Sequence, residues 1–571
     1  MRATQELSPS AAHLALHTER LGPLPLVNSF IQRMSLEEIL ESYVPTDDRR
    51  CVVSHAKALG VLLRSIIVER EPIYRQQETV AGFASGIFGI PGDQMDRLSD
   101  DRIGRALDHL FEADRAAMLT EMVVTVAERF DVEFDQLHND STSISFCGQY
   151  RNANGRTLNG RSAPAIVHGF SKDHRPDLKQ LLFILSVTAD GIPASFRCAD
   201  GNTSDSVTHI ETWNTLRSVT GRSDFLYVAD SKLCSTENMR YIHSQGGRFV
   251  TVMPRSRKED GLFREWMQTN TPDWQCIWDR PNSRYAEGPN DRWHAFQPEQ
   301  ASSELWTITW VWSELLTLRQ RGRRQRNIAA AIQELDGLHQ RLVNARARLR
   351  GAKEIDERVQ EILERHFVTR YLLVSRVIRE EHEFRQTRRG RPGPDTAYRK
   401  ITHSRFDIQW VIDAATVSYD ERTDGIYPLI SNDSRLGPKA VLEAHKGQPK
   451  IEKRFEQVKT VHEIAPVYLK NEGRIEALFT LYFLALLVQA LIERELREAM
   501  KRAQIETLPI YPEQRSCRHP TTEQVLRMFS LAQRHRLTNG QEIMKCFDAE
   551  LTALQRQVLK LLSVPDSAYR C

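Results

Sequence analysis

Two aspartates close short apolar runs in this sequence. Asp140 ends QLHND and precedes STS; Asp230 ends FLYVAD and precedes SKLCS. Ligands of an open α/β sheet collect at the carboxyl ends of its strands. If these two strands are neighbours, both carboxylates enter one site. Two aspartates alone repel and have raised pKa values. A divalent cation removes the conflict, and hard oxygen donors suit Mg²⁺ or Mn²⁺. With a third carboxylate the site could hold two ions, one activating water or a 3′-hydroxyl and the other stabilising the leaving oxygen of a phosphodiester. Taken singly, each aspartate reads better as a helix N-cap.

A further acid lies in HKGQPKIEKRFEQVK, His445–Lys459. Pro449 stands where a helix would start, and Ile451, Phe455 and Val458 form the apolar stripe of an amphipathic helix. Glu452 and Lys459, two turns apart, share one side of it. Alone, this is a helix with an ordinary charged face.

The elements that must position these residues are legible in outline. Residues 1–130 read as an all-helical N-terminal domain. SLEE at Ser35–Glu38 is a capping-box pattern, and Ser54 and Ser99 are N-cap candidates. Such helices suit a DNA-end-binding module or a plain helical domain. From 131 to 258 the pattern is three strands, helix, strand, helix, strand: α/β with a mixed sheet. Residues 259–415 interrupt it with a Trp-rich, strand-like part and a long helical stretch. There Ile328, Ile332, Leu335, Leu338, Leu342 and Leu349 recur in coiled-coil-like steps. Ahead of them, Arg319, Arg321, Arg323, Arg324 and Arg326 form a phosphate-contact candidate or a solvated face. In RRGRPGP, the core Arg389-Gly390-Arg391-Pro392 matches a short hook for narrow A·T-rich minor grooves, or a basic loop joining helix to strand. Residues 416–500 resume the α/β pattern and include the acid-bearing helix. Residues 501–571 read as a helical C-terminal region.

Composition sets wide bounds. The 571 residues are 40% hydrophobic and 27% charged, with net charge +3, so the placement of charge matters more than its sum. Eight cysteines without a CxxC pair argue against a zinc site or a disulfide framework and fit a reducing cytoplasm. No apolar h-region opens the chain. The run Leu478–Ile492, interrupted by Thr480 and Gln489, is too short for a membrane span and reads as a buried core helix.

Taken together, these residues resemble the DDE transposases of bacterial insertion sequences, specifically the group with a Tyr-x2-Arg-x3-Glu-x6-Lys pattern around the last acid. Glu452 and Lys459 reproduce Glu-x6-Lys, while His445 and Gln448 stand at the tyrosine and arginine positions. GFSKDHRPDLKQ, DGIP, GNTSD, DGIYPLISN, APVYLKNEGRIEA, LGPLPLVNSF and LSDDRIGRALDHLF also resemble segments of this group. The resemblance covers most of the chain. It implies an RNase H-like catalytic core, interrupted by a β-rich plus helical insertion that is associated with handling hairpin ends. It implies Asp140, Asp230 and Glu452 as catalytic ligands of Mg²⁺ or Mn²⁺, two ions, and Lys459 as a contact to the DNA end.

The resemblance implies DNA- or helix-holding roles at His445 and Gln448, though neither has arginine's permanent charge. Lys172, in a loop with His174 and Arg175, could approach DNA or join a salt-bridged loop with Asp173 and Asp177. Arg474, before a helix, could contact phosphate or cap the helix. The implied protein is a bacterial, cytoplasmic transposase. It would bind terminal inverted repeats of double-stranded DNA as a homodimer, cleave a strand and transfer the 3′-ends to target DNA. Two alternatives stay open: an RNase H-like nuclease without strand transfer, and a catalytically silent, transposase-derived DNA-binding protein.

Overall fold

The computed structural model describes residues 14–47, 50–282, 288–299, 301–344, 351–465, 467–539 and 542–571. The fold is mixed α/β and divides into two compact units: residues 1–251 with 443–571, and residues 252–442. The second unit is thus wider than the 259–415 expected, and residues 416–442 belong to it.

The first described element of the first unit is a strand. β1 (Leu14–Arg20) pairs antiparallel with Gln533–Asn539, so the N-terminal section is not all-helical. Its partner lies far along the chain, and no local signal announces such a pairing. The helices α1 (Leu24–Arg33), α2 (Leu36–Tyr43), α3 (His55–Val68), α4 (Gln76–Ala81), α5 (Asp100–Glu112) and α6 (Arg115–Phe130) follow. Ser54 and Ser99 cap α3 and α5, accepting from Lys57 N (3.2 Å) and Arg102 N (3.1 Å). Ser35 does not cap α2; it lies in the left-handed region at φ 50° and its side chain accepts no cap bond.

A mixed sheet comes next. β2 (Gln136–Phe146) is followed by the two-residue pair β3 (Thr157–Leu158) and β4 (Arg161–Ser162), then β5 (Lys179–Thr188) and β6 (Pro193–Asp200). Helix α7 (Asp205–Thr220), β7 (Leu226–Ala229), α8 (Thr236–Ser244) and β8 (Arg248–Val252) complete it. The spatial order is β6-β5-β2-β7-β8. β5 runs antiparallel to β2 and β6, whereas β2, β7 and β8 are parallel. β7 is buried at every position, the mark of a strand covered on both faces.

The second unit contains α9 (Lys258–Trp266), β9 (Gln275–Arg280), β10 (Asp291–Phe296) and β11 (Thr307–Ser313). Helices α10 (Glu314–Val343) and α11 (Ala352–Arg365), strands β12 (Leu372–Gln386) and β13 (Tyr398–Ile412), helix α12 (Ala414–Glu421) and β14 (Ile426–Ser431) follow. β9, β10, β11 and β14 form an antiparallel sheet. Its aromatic residues pack on one another: Trp310 stacks on Phe263 at 3.6 Å, and Trp274 tilts against Trp312 at 5.7 Å. The leucine stripe of α10 is satisfied inside the unit. Ile328, Leu335, Leu338 and Leu342 are buried with Ile355 and Ile362 of α11 and with Leu372 and Ile408; Leu349 lies outside the described residues. Of the arginine run, Arg324 turns inward to Asp424 at 2.6 Å. RRGRPGP joins two strands, β12 and β13, rather than a helix to a strand.

The chain returns to the first unit through α13 (Pro438–Lys446), α14 (Pro449–Glu456), a π-helical turn at Gln457–Val461 and α15 (Glu472–Arg502). By length and composition α15 could cross a membrane, but 94% of its most apolar window is buried, as in a core helix. Helix α16 (Thr522–Met528), β15 (Gln533–Asn539), β16 (Glu542–Phe547) and α17 (Ala553–Leu561) end the chain. The C-terminal region is therefore not purely helical. Cys546 and Cys571 form a disulfide, contrary to the expectation of reduced thiols.

Candidate active site

The register of the parallel strands places the two aspartates together. Asn139 of β2 is opposite Ala229 of β7, so Asp140 and Asp230 are the next residues on neighbouring strands, which lie roughly 4.8 Å apart. Asp140 is not a strand end, as QLHND suggested. β2 continues to Phe146 because Ser141–Phe146 stay paired with β5 after β7 stops. Neither aspartate caps a helix: Ser204 precedes α7, and Ser235 caps α8 by accepting from Asn238 N at 3.2 Å. Asp230 instead opens a turn. Its carboxylate accepts from Lys232 N (3.0 Å), and its carbonyl accepts from Thr251 Oγ1 (2.6 Å).

A third carboxylate and an ammonium share this place. Lys172 Nζ is 3.1 Å from Asp205 and 3.8 Å from Asp140, and it donates to the Ser141 carbonyl at 2.6 Å. Ser141 Oγ donates to Asp205 at 2.5 Å. Burial lifts the Asp140 carboxyl to about 6; Lys172 and the Ser141 N–H oppose this, while Asp230 and Asp205 add to it. Burial also raises Asp230, against Lys232 N–H and Lys172. Of the loop that carries Lys172, Arg175 pairs with Asp177 (2.8 Å) but Lys172 does not. Asp205 is the residue that reasoning from sequence missed; its only signal was its place in GNTSD.

Helix α14 is fastened to the sheet by the residues before Glu452. Gln448 Nε2 donates to the carbonyl of Asn139 (3.0 Å), and Gln448 Oε1 lies 3.0 Å from His138 Nδ1. Gly447 is needed for this approach, since a Cβ there would sit 2.6 Å from the His138 ring. Burial depresses His138 and His445 to about 4, which keeps both neutral. Gln448 is thus buried against β2 at the start of the acid-bearing helix, a helix-holding position, and His445 is partly buried beside it. Further along, Arg454 donates to Gly191 O at 2.9 Å and pairs with Glu493 of α15 at 3.5 Å. Ile451 and Val458 are fully buried.

Glu452 is exposed on the first turn of α14 and makes no ion pair or hydrogen bond with any described residue. It follows Gln448 by four residues, hence lies on the same side of the helix as the side chain that touches β2. Beyond Glu456 the helix widens into the π turn, which rotates Lys459 away from the α-helical register assumed from sequence. Lys459 pairs with Asp173 at 2.7 Å, next to Lys172 in the chain. Among the described residues no group of three or more His, Cys, Asp or Glu side chains is drawn together as a metal-binding set.

The other expected DNA contacts divide. Arg474 makes a two-pronged ion pair with Asp108 of α5, at 2.7 and 2.6 Å, and is a structural tie rather than a free phosphate contact. Gly104 gives it room, since a Cβ there would meet Arg474 Nη1 at 2.6 Å. Arg389 and Arg391 are exposed in the second unit.

Residues 16–124 match a domain family of unknown function, DUF4277. No curated relative matches the chain.

Proposed function

We propose that the chain is a DNA transposase of the DDE class with an RNase H-like core in its first unit. The observation that carries the reading is the side-by-side placement of Asp140 and Asp230 beyond the paired ends of β2 and β7. The strand order supports it: numbered by chain order, the five main strands lie 3-2-1-4-5, with the first hairpins antiparallel and helices before the fourth and fifth. A DUF4277 domain, matched at the N-terminus, is often found in transposases.

The residues fit a hard divalent cation by chemistry. Asp140 and Asp230 are oxygen donors whose raised carboxyls record burial without enough positive charge. Lys172 supplies part of that charge. Asp140 and Asp230, with Glu452 from α14, would hold Mg²⁺ or Mn²⁺. When bound, such ions activate the attacking hydroxyl and stabilise the leaving oxygen of a phosphodiester. The chain's own part is to fix donors beforehand: the sheet register sets the aspartates, and Gln448 and Arg454 set the helix that carries Glu452. Lys172 neutralises the carboxylates until DNA and metal arrive.

Changing Asp140, Asp230 or Glu452 to Ala is expected to abolish Mg²⁺-dependent strand cleavage while DNA binding is kept. Normal cleavage by an Asp230→Ala protein would sink the assignment. A nuclease without strand transfer would cleave ends but never join them to a second DNA.

A further inference from the structure

The two-stranded ribbon β12–β13 changes character along its length. At its base Leu372 and Ile408 are buried, and the charges are neutralised internally, as in Arg379–Asp407 and Arg405–Glu381. Further out, both strands are exposed, including Phe384 and Tyr398. The ribbon closes on a turn in which Thr387 N donates to Ala397 O (3.0 Å) and Gly393 N to Thr396 Oγ1 (2.7 Å). This tip carries Arg388, Arg389 and Arg391, with Arg399 and Lys400 on the adjoining strand, against Asp395 alone. None of these five cations makes an ion pair or hydrogen bond with a described residue.

We propose that the ribbon tip binds the minor groove of A·T-rich duplex DNA. Five cations at one end of the ribbon, three on the turn and two on the adjoining strand, repel each other, a cost relieved by a polyanion. The ribbon is too broad for a minor groove about 6 Å wide, but the single segment Arg389-Gly390-Arg391-Pro392 is not. Gly390 has φ +152°, and a Cβ there would meet nothing within 4 Å, so its backbone faces open space and can approach a groove floor. Pro392 fixes its own φ and biases Arg391 to an extended conformation. The arginines flank the glycine on both sides, and the narrow groove of A·T tracts has the negative potential that attracts arginine. G·C pairs place an amino group on that floor; A·T pairs do not.

This inference rests on reading the chain as a DNA-binding protein, but not on the carboxylates. The test measures binding of the full chain in EDTA to three duplexes that differ in one tract: A·T, G·C, or inosine·cytosine. The last has an A·T-like minor groove and a G·C-like major groove. The wild type is expected to bind the A·T and inosine·cytosine duplexes alike, each about fivefold or more tighter than G·C. Arg389→Ala/Arg391→Ala should lose that preference and lower the salt slope by about 2, with an unchanged melting temperature. The proposal is overturned if the wild type shows no preference, if the variant keeps it, or if inosine·cytosine behaves like G·C, which would place the ribbon in the major groove. The assay reads binding without metal, so its failure leaves the cleavage reading standing, and loss of cleavage leaves this one standing.

Discussion

Asp140 sits under opposing influences. Burial and two neighbouring carboxylates hold its folded pKa near 6, above the ordinary 3.8, while Lys172 limits the rise. The sign follows from linkage. A carboxyl raised by folding costs nothing below its unfolded pKa, and its cost grows as pH rises through the folded value. Asp140→Asn should therefore stabilise the metal-free protein at pH 7, on the order of 2 kcal/mol, and leave it nearly unchanged near pH ~3, below the unfolded pKa. Melting curves in EDTA at the two pH values measure this; equal effects at both would contradict the assigned environment. Asp140→Asn should at the same time lose cleavage, which separates a functional carboxylate from a merely structural one.

At the scale of the element, α14 depends on how it is seated. Gln448→Ala removes the side chain that bonds the Asn139 carbonyl and His138 Nδ1, at a cost of about 1–3 kcal/mol. Cleavage should fall and DNA affinity should hold; a drop in affinity with an unchanged melting temperature would point to the DNA-contact alternative instead. His138, His445 and His462 are all depressed to about 4 by burial. Their stability contribution is present above pH 6.5 and lost as pH falls toward 4. The melting temperature should thus decline over that window, and less so in His462→Gln.

The sequence made much of this seating legible. The stripe Ile451, Phe455, Val458 did predict the buried side of the helix. It could not show the π turn that moves Lys459, because that turn depends on distant groups: Gln457 and His462 both reach Gln489, the polar interruption in the apolar run of α15. β1 was illegible for the same reason, its partner strand being at the other end of the chain. Asp140 was found by its neighbours in sequence, but its true position, mid-strand where one ladder stops, is a property of the sheet.

At the scale of the whole molecule, the proposed metal chemistry belongs to the first unit and the proposed groove binding to the ribbon of the second. Mg²⁺ should raise the melting temperature of the wild type, as any ligand of the folded state does, and should not raise that of an Asp140→Asn/Asp230→Asn protein. The proposed catalysis is tested by incubating the full chain with Mg²⁺ and DNA carrying the ends of its own element, with a second DNA as target, and mapping strand breaks and joined products. Such catalysis requires a break at the element end and joining of the 3′-end by the wild type, with neither from Asp230→Ala. Equal products from both proteins, or none from the wild type on its own ends, would contradict it.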